Sequence, residues 1–175
     1  MTLADALGLD ADLLPTVVSA LRDRGWTVAT AESLTAGLLT AALTEVPGSS
    51  TVVRGGLVVY STDLKHTLAG VDTDLLARRG PVDREVAEAL ARGAAARCGA
   101  DVGVGLTGVA GPDPQDGHPV GTWFAAVVGP GGLLREARGP GTGGTRHEVR
   151  AAVVRAGLQL LRDAAAAADP DSAHD

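Results

Sequence analysis

One lysine, Lys65, stands among the fifteen basic residues of this 175-residue chain, and the other fourteen are arginine. A lysine amine sheds its proton when burial or nearby positive charge disfavours the ammonium, whereas a guanidinium stays protonated in proteins. Where arginine serves elsewhere as the positive charge, a lone lysine is either a solvated surface group or a general base. The only tyrosine, Tyr60, lies five residues before it. Two serines could supply a hydroxyl for such a base to activate. Ser61 lies four residues before Lys65, on the same face if both are helical, and Ser33 lies in the segment Ala31-Glu32-Ser33-Leu34-Thr35-Ala36-Gly37. Each serine is equally well placed as a helix N-cap. Glu32, beside Ser33, is either a catalytic carboxylate or an anchor for the backbone amides of its loop. More polar groups follow at Thr107-Gly108 and at Arg146, behind a glycine-rich stretch over 139–144.

Other chemistries find less to build on. Cys98 is the single cysteine, so no internal disulfide forms, and His66, His118, His147 and His174 are scattered without the companions of a catalytic triad. No Cys, His, Asp and Glu spacing matches a metal site, and no cofactor is called for. A net charge of −6 and a pI near 5.1 argue against nucleic acid as partner. No apolar run approaches the roughly 20 residues that cross a bilayer, and the acidic N-terminus lacks the basic start of a secretory signal. A cytoplasmic protein is expected.

The elements that must position these groups follow from periodicity. Helical spacing over 13–24 (Leu14, Val17, Val18, Leu21) stops at Gly25, and a strand is expected over 26–30. Residues 34–44 are apolar or small nearly all round, which predicts a buried helix. A strand over 55–60 leads into a short helix over 61–68 that carries Lys65 on its first turns. A long helix over 83–98 places Val86 and Leu90 inward and ends at Gly99. Val102, Val104 and Leu106 alternate with Gly103 and Gly105, a strand with one bulky face and one face open to close backbone approach. Strands over 120–128 and 133–138 flank Gly129-Pro130-Gly131-Gly132 as a hairpin, and a last helix covers 146–168. The alternation predicts an α/β fold: a three-layer α/β/α sandwich with a mixed, mostly parallel sheet and a late β-hairpin. A single domain over 1–168 and a disordered tail over 169–175 are expected. Ligand sites in such sheets gather at the carboxyl ends of strands, where the Glu32, Tyr60 and Thr107 segments all fall.

In this order the motifs AESLTAG (31–37), PGSS (47–50), GGLVVYSTDLK (55–65), GPVD (80–83), LTGVAGPD (106–113) and PVGT (119–122) resemble the C-terminal domain family of the competence/damage-inducible protein CinA. The resemblance covers nearly the whole chain. Stand-alone members of that family are nicotinamide-nucleotide amidases, so the resemblance implies hydrolysis of the carboxamide of nicotinamide mononucleotide to nicotinate mononucleotide and ammonia. It implies Ser33 as nucleophile, Lys65 as general base and Tyr60 as a supporting hydroxyl. Thr35, Gly37, Ser49, Ser50, Thr107, Gly108 and Arg146 would meet the substrate, with Glu32 behind Ser33. The oxyanion would fall to backbone amides in the glycine-containing loops or at the start of the 34–44 helix. The roughly twelve residues before the first long helix are too few for the further N-terminal domain that some relatives carry, so the activity of that domain is not expected here.

Two alternatives share these features: a non-catalytic mononucleotide-binding module, and a Ser/Lys amidase for another small carboxamide. Oligomeric state is open, since the alanine-rich helices could pack against a second copy or against the sheet. Three departures from the family pattern stand out. Ala36 replaces a usual glycine, Thr145 replaces the aspartate usual before Arg146, and 113–118 lacks the usual glycine-rich form.

Overall fold

The computed structural model describes residues 1–167. The expected tail over 169–175 lies outside the described residues. Five strands form one sheet: β1 (Val28–Glu32), β2 (Val53–Val58), β3 (Val102–Gly108), β4 (Trp123–Gly129) and β5 (Leu133–Arg138), in the order β2-β1-β3-β4-β5. β1 is parallel to both β2 and β3, while β4 is antiparallel to β3 and to β5. Four strands therefore point one way and β4 alone opposes them, as a mixed sheet ending in a hairpin requires.

Helices cover both faces. On one lie α2 (Leu13–Asp23), α3 (Leu38–Thr44) and α7 (Arg146–Ala167). Their Val17, Leu21, Leu39, Leu43, Val153 and Leu158 pack on Val28, Val104 and Leu106 of the sheet. On the other lie α4 (Thr62–Thr67), α5 (Thr73–Arg79) and α6 (Arg84–Cys98), which enclose Ala29, Ala31, Val59 and Val71 with Val86, Leu90 and Ala94. The glycines of β3 have the role their alternation suggests. A Cβ on Gly103 would stand 1.8 Å from the Ala91 carbonyl oxygen, and one on Gly105 would stand 2.0 Å from that of Ala87. α6 thus seats its backbone directly on the sheet.

Several boundaries differ from expectation, each for a local reason. β1 begins two residues later than the expected 26–30 strand and runs on through Glu32. α3 begins at Leu38 rather than at residue 34, because Ala36 (φ 50°) and Gly37 (φ 95°) are both left-handed and end the turn that follows β1. Ser33 is therefore not an N-cap. β4 starts at Trp123, three residues after the expected strand. Two short helices lie where periodicity marks none: α1 (Leu3–Ala6), held by a Thr2/Asp5 capping box, and α5, capped by Asp72 on the Leu75 amide. Helices this short bury too few apolar positions to show a period.

Candidate active site

The carboxyl ends of β1, β2 and β3 open together on a cavity of about 560 Å³. Ser33 leaves the end of β1, its amide donating to Leu106 O at 3.0 Å. β2 ends at Val58, and α4 starts four residues later. The extended Ser61 at its N-cap makes a short hydrogen bond from its hydroxyl to Asp63 and gives no side-chain cap to the helix. α4 then turns Lys65 back under the strand ends.

Lys65 is 1% exposed and Ser33 7% exposed. The Lys65 Nζ lies 3.0 Å from Ser33 Oγ, and as an ammonium it also donates to the carbonyls of Val59 (2.9 Å) and Tyr60 (3.5 Å). Among the described residues no carboxylate forms an ion pair with it. Burial pulls its pKa from the ordinary 10.5 down to about 8, against the opposing field of Asp63. A buried amine with its pKa lowered to about 8, at hydrogen-bond distance from a serine hydroxyl facing a cavity, has the geometry of nucleophile activation. Ser61, the other candidate nucleophile, bonds Asp63 instead.

Glu32 is buried and its carboxylate is saturated. Oε2 accepts from the amides of Gly37 and Leu39, each at 3.1 Å. Oε1 accepts from the Thr40 amide and hydroxyl and from the Thr30 hydroxyl. These bonds make it the anchor of the turn and of the first amides of α3. Thr35 and Gly37 do not line the cavity; they shape the turn. Thr35 is fully buried, and its carbonyl accepts from Arg150 Nη2 at 3.2 Å. Arg150, one helical turn after Arg146 on α7, is a residue that sequence reasoning missed; only its i,i+4 spacing from Arg146 marks it.

Tyr60 touches Lys65 through its carbonyl, not through its hydroxyl. Tyr60 is 57% exposed at the cavity mouth, where its hydroxyl accepts from Arg146 Nη2 at 2.8 Å. Arg146 Nη1 also donates to Gly111 O at 2.6 Å. Thr145, which replaces an aspartate, forms a reciprocal cap with Glu148 at the start of α7, so the loss of that carboxylate leaves the helix start intact. Thr107 and Gly108 line the cavity, and the Thr107 hydroxyl donates to Pro81 O at 2.6 Å. Asp113 and Gln115 complete its rim.

Ser49 and Ser50 are not brought to this cavity. α3 carries the chain from the carboxyl ends of the strands back toward their amino ends, and these serines sit in the 3-10 turn Ser49–Thr51 just before β2. There Val28 N, at the start of β1, donates to Val52 O. Among the described residues no cluster of His, Cys, Asp and Glu could hold a metal ion, and no helix is long and apolar enough to cross a membrane.

Comparison with known proteins agrees with this architecture. A family model described as the CinA C-terminal domain matches residues 10–165. A CinA-like protein of Frankia casuarinae is 44% identical over 156 residues, covering 89% of this chain and 35% of that protein. One from Mycolicibacterium gilvum is 48% identical over 143 residues, covering 80% and 33%. The chain thus spans about a third of the length of these curated relatives. The crystal structure of a competence/damage inducible protein from Agrobacterium tumefaciens superposes with a TM-score of 0.83 at 35% identity, covering 89% of this chain and 96% of that one. A competence damage-inducible protein A from Klebsiella pneumoniae gives 0.84 at 31% identity, covering 90% and 98%.

Proposed function

The chain belongs to the CinA C-terminal domain family, and from that membership and the buried Ser33–Lys65 pair we propose that it is a metal-independent amidohydrolase acting on the carboxamide of nicotinamide mononucleotide. The observation that carries this is the Lys65 amine, buried, lowered in pKa and 3.0 Å from Ser33 Oγ at the edge of a cavity large enough for a mononucleotide.

Neutral Lys65 takes the hydroxyl proton of Ser33 as Oγ bonds to the carboxamide carbon, and the carbonyl electron pair moves onto oxygen. The tetrahedral adduct collapses by breaking the C–N bond, and the Lys65 ammonium protonates the departing nitrogen, which leaves as ammonia. A water molecule, deprotonated by Lys65, then attacks the acyl carbon. Ser33 leaves with that proton, and nicotinate mononucleotide is released. Carboxamide and water yield carboxylate and ammonium, with no redox change. The substrate phosphate is assigned to Arg146, whose guanidinium, among the described residues, hydrogen-bonds a phenol and a carbonyl and no acidic side chain. The reaction would serve pyridine-nucleotide recycling in the cytoplasm.

The test is ammonia release from nicotinamide mononucleotide by the purified protein in the presence of EDTA, with Ser33→Ala and Lys65→Ala alongside. Turnover in the parent protein and its loss in both variants are expected. Tight mononucleotide binding without ammonia release, or wild-type turnover in either variant, would remove the proposal.

A further inference from the structure

Hydrolysis at Ser33 needs hydrogen-bond donors where the carbonyl oxygen becomes an oxyanion, and the bonding of the surrounding amides leaves few of them free. The start of α3 is excluded. Glu32 consumes the amides of Gly37, Leu39 and Thr40, and the Leu38 amide donates to Thr35 O. Ser33 N is spent on Leu106 O, and Ala36 N on Ser33 O. Within the turn only the amides of Leu34 and Thr35 remain without a partner among the described residues, and of these two residues only Leu34 lines the cavity.

A second donor follows from the ladder of β3. Val109 N donates to Thr122 O on the β4 side, and amide directions alternate along a strand, so Gly108 N–H faces β1. The parallel ladder begins with Val102 N on Thr27 O and advances two residues at a time, which makes Ser33 O the next partner for Gly108 N. The chain has turned away there: Ser33 O accepts from Ala36 N, and no bond from Gly108 N reaches it. Gly108 N–H is thus left beside Ser33, on the wall of the same cavity.

We infer that the main-chain amides of Leu34 and Gly108 form the oxyanion hole, one from the turn after the nucleophile and one from the end of the neighbouring strand. The assignment rests on the proposed Ser33 chemistry but not on the identity of the natural amide.

The test removes each N–H while keeping the side chain, by incorporating the α-hydroxy acid analogue of leucine at 34 or of glycine at 108 in the full chain. The readout is the rate at which 4-nitrophenyl acetate acetylates Ser33, followed by 4-nitrophenol release and by protein mass, with ammonia release from nicotinamide mononucleotide measured in parallel. Each ester should slow acetylation by about 10²–10³-fold. The corresponding ester at Leu38, whose amide serves only the turn, should stay within about threefold of the parent protein. Parent-like acetylation with either test ester, or an equal loss at Leu38, overturns the assignment. Acetylation of the parent protein without ammonia release removes nicotinamide mononucleotide as substrate and leaves the oxyanion hole standing. No acetylation of Ser33 in the parent protein overturns both.

Discussion

The Lys65 amine reaches Ser33 Oγ at 3.0 Å from 32 positions away in the chain, and its other two acceptors are main-chain carbonyls. Carbonyls hold an ammonium in place without the charge that would keep it protonated, so burial dominates and the pKa falls to about 8.

This fixes the expected pH dependence. The base acts when neutral, so kcat/KM should rise with pH and reach half its plateau near 8, with about one molecule in ten competent at pH 7. Lys65→Arg keeps a cation that does not release its proton, and ammonia release should fall by about 10²–10⁴-fold across the range. A profile flat from pH 6 to 9, or an active arginine variant, would exclude Lys65 as the base. Stability carries the same sign. Between pH 8 and the ordinary 10.5 the unfolded chain holds a proton that the folded chain has lost, so the Lys65 contribution to stability should rise with pH there. Urea unfolding of the parent and the Lys65→Met variant at several pH values would reveal it.

Much of this pair is legible in the sequence. The lone lysine in an arginine-rich chain, the period-two glycines of β3 and the order of motifs point to the sandwich and to Ser33 and Lys65. The path of the backbone at special φ angles is less legible. Ala36 looks like a helix former in an apolar run, and only its left-handed conformation shows that α3 starts after it. The same limit misplaced Ser49 and Ser50: their hydroxyls suit a phosphate, but a seven-residue helix between Ser33 and the PGSS turn carries them toward the other end of the strands. Arg150 was hidden because its partner is a main-chain carbonyl, which leaves no trace in side-chain patterns.

Glu32→Gln should destabilise the protein by roughly 3 kcal/mol. Both carboxylate oxygens accept hydrogen bonds from buried donors, two amides on one oxygen and an amide with two hydroxyls on the other. A glutamine must turn its NH₂ group toward one of these sets. Urea unfolding would measure the loss, and a change below about 0.5 kcal/mol would contradict the anchoring role.

Ala36→Gly should stabilise. Alanine at φ 50° carries the steric cost of the left-handed region, about 1–2 kcal/mol, of which glycine returns up to about 1 kcal/mol to unfolded-chain entropy. The net gain of about 0.5–1 kcal/mol corresponds to a Tm increase of roughly 2 °C for a chain of this size. A lower Tm would mean that the methyl group packs favourably enough to offset its strain.

Arg146 and Arg150 lie one turn apart on α7, and their contacts predict opposite kinetic signatures. Arg146 lines the cavity and holds Gly111 O and the Tyr60 hydroxyl, so Arg146→Met should raise KM for nicotinamide mononucleotide about tenfold or more, as loss of a phosphate contact does. Arg150 does not reach the cavity. Its Nη2 donates to Thr35 O, within two residues of Ser33, while its Nε and the Thr35 hydroxyl are buried without hydrogen-bond partners among the described residues. On the proposed mechanism it would act on Ser33 by positioning the turn, and Arg150→Met should lower kcat with KM nearly unchanged. Because part of the effect is geometric, Arg150→Lys, which restores a donor to Thr35 O without the second nitrogen, should recover part of the lost kcat. An Arg150→Met variant that changes KM and kcat together, or one with parent kinetics and only a lower Tm, would reduce Arg150 to a packing residue.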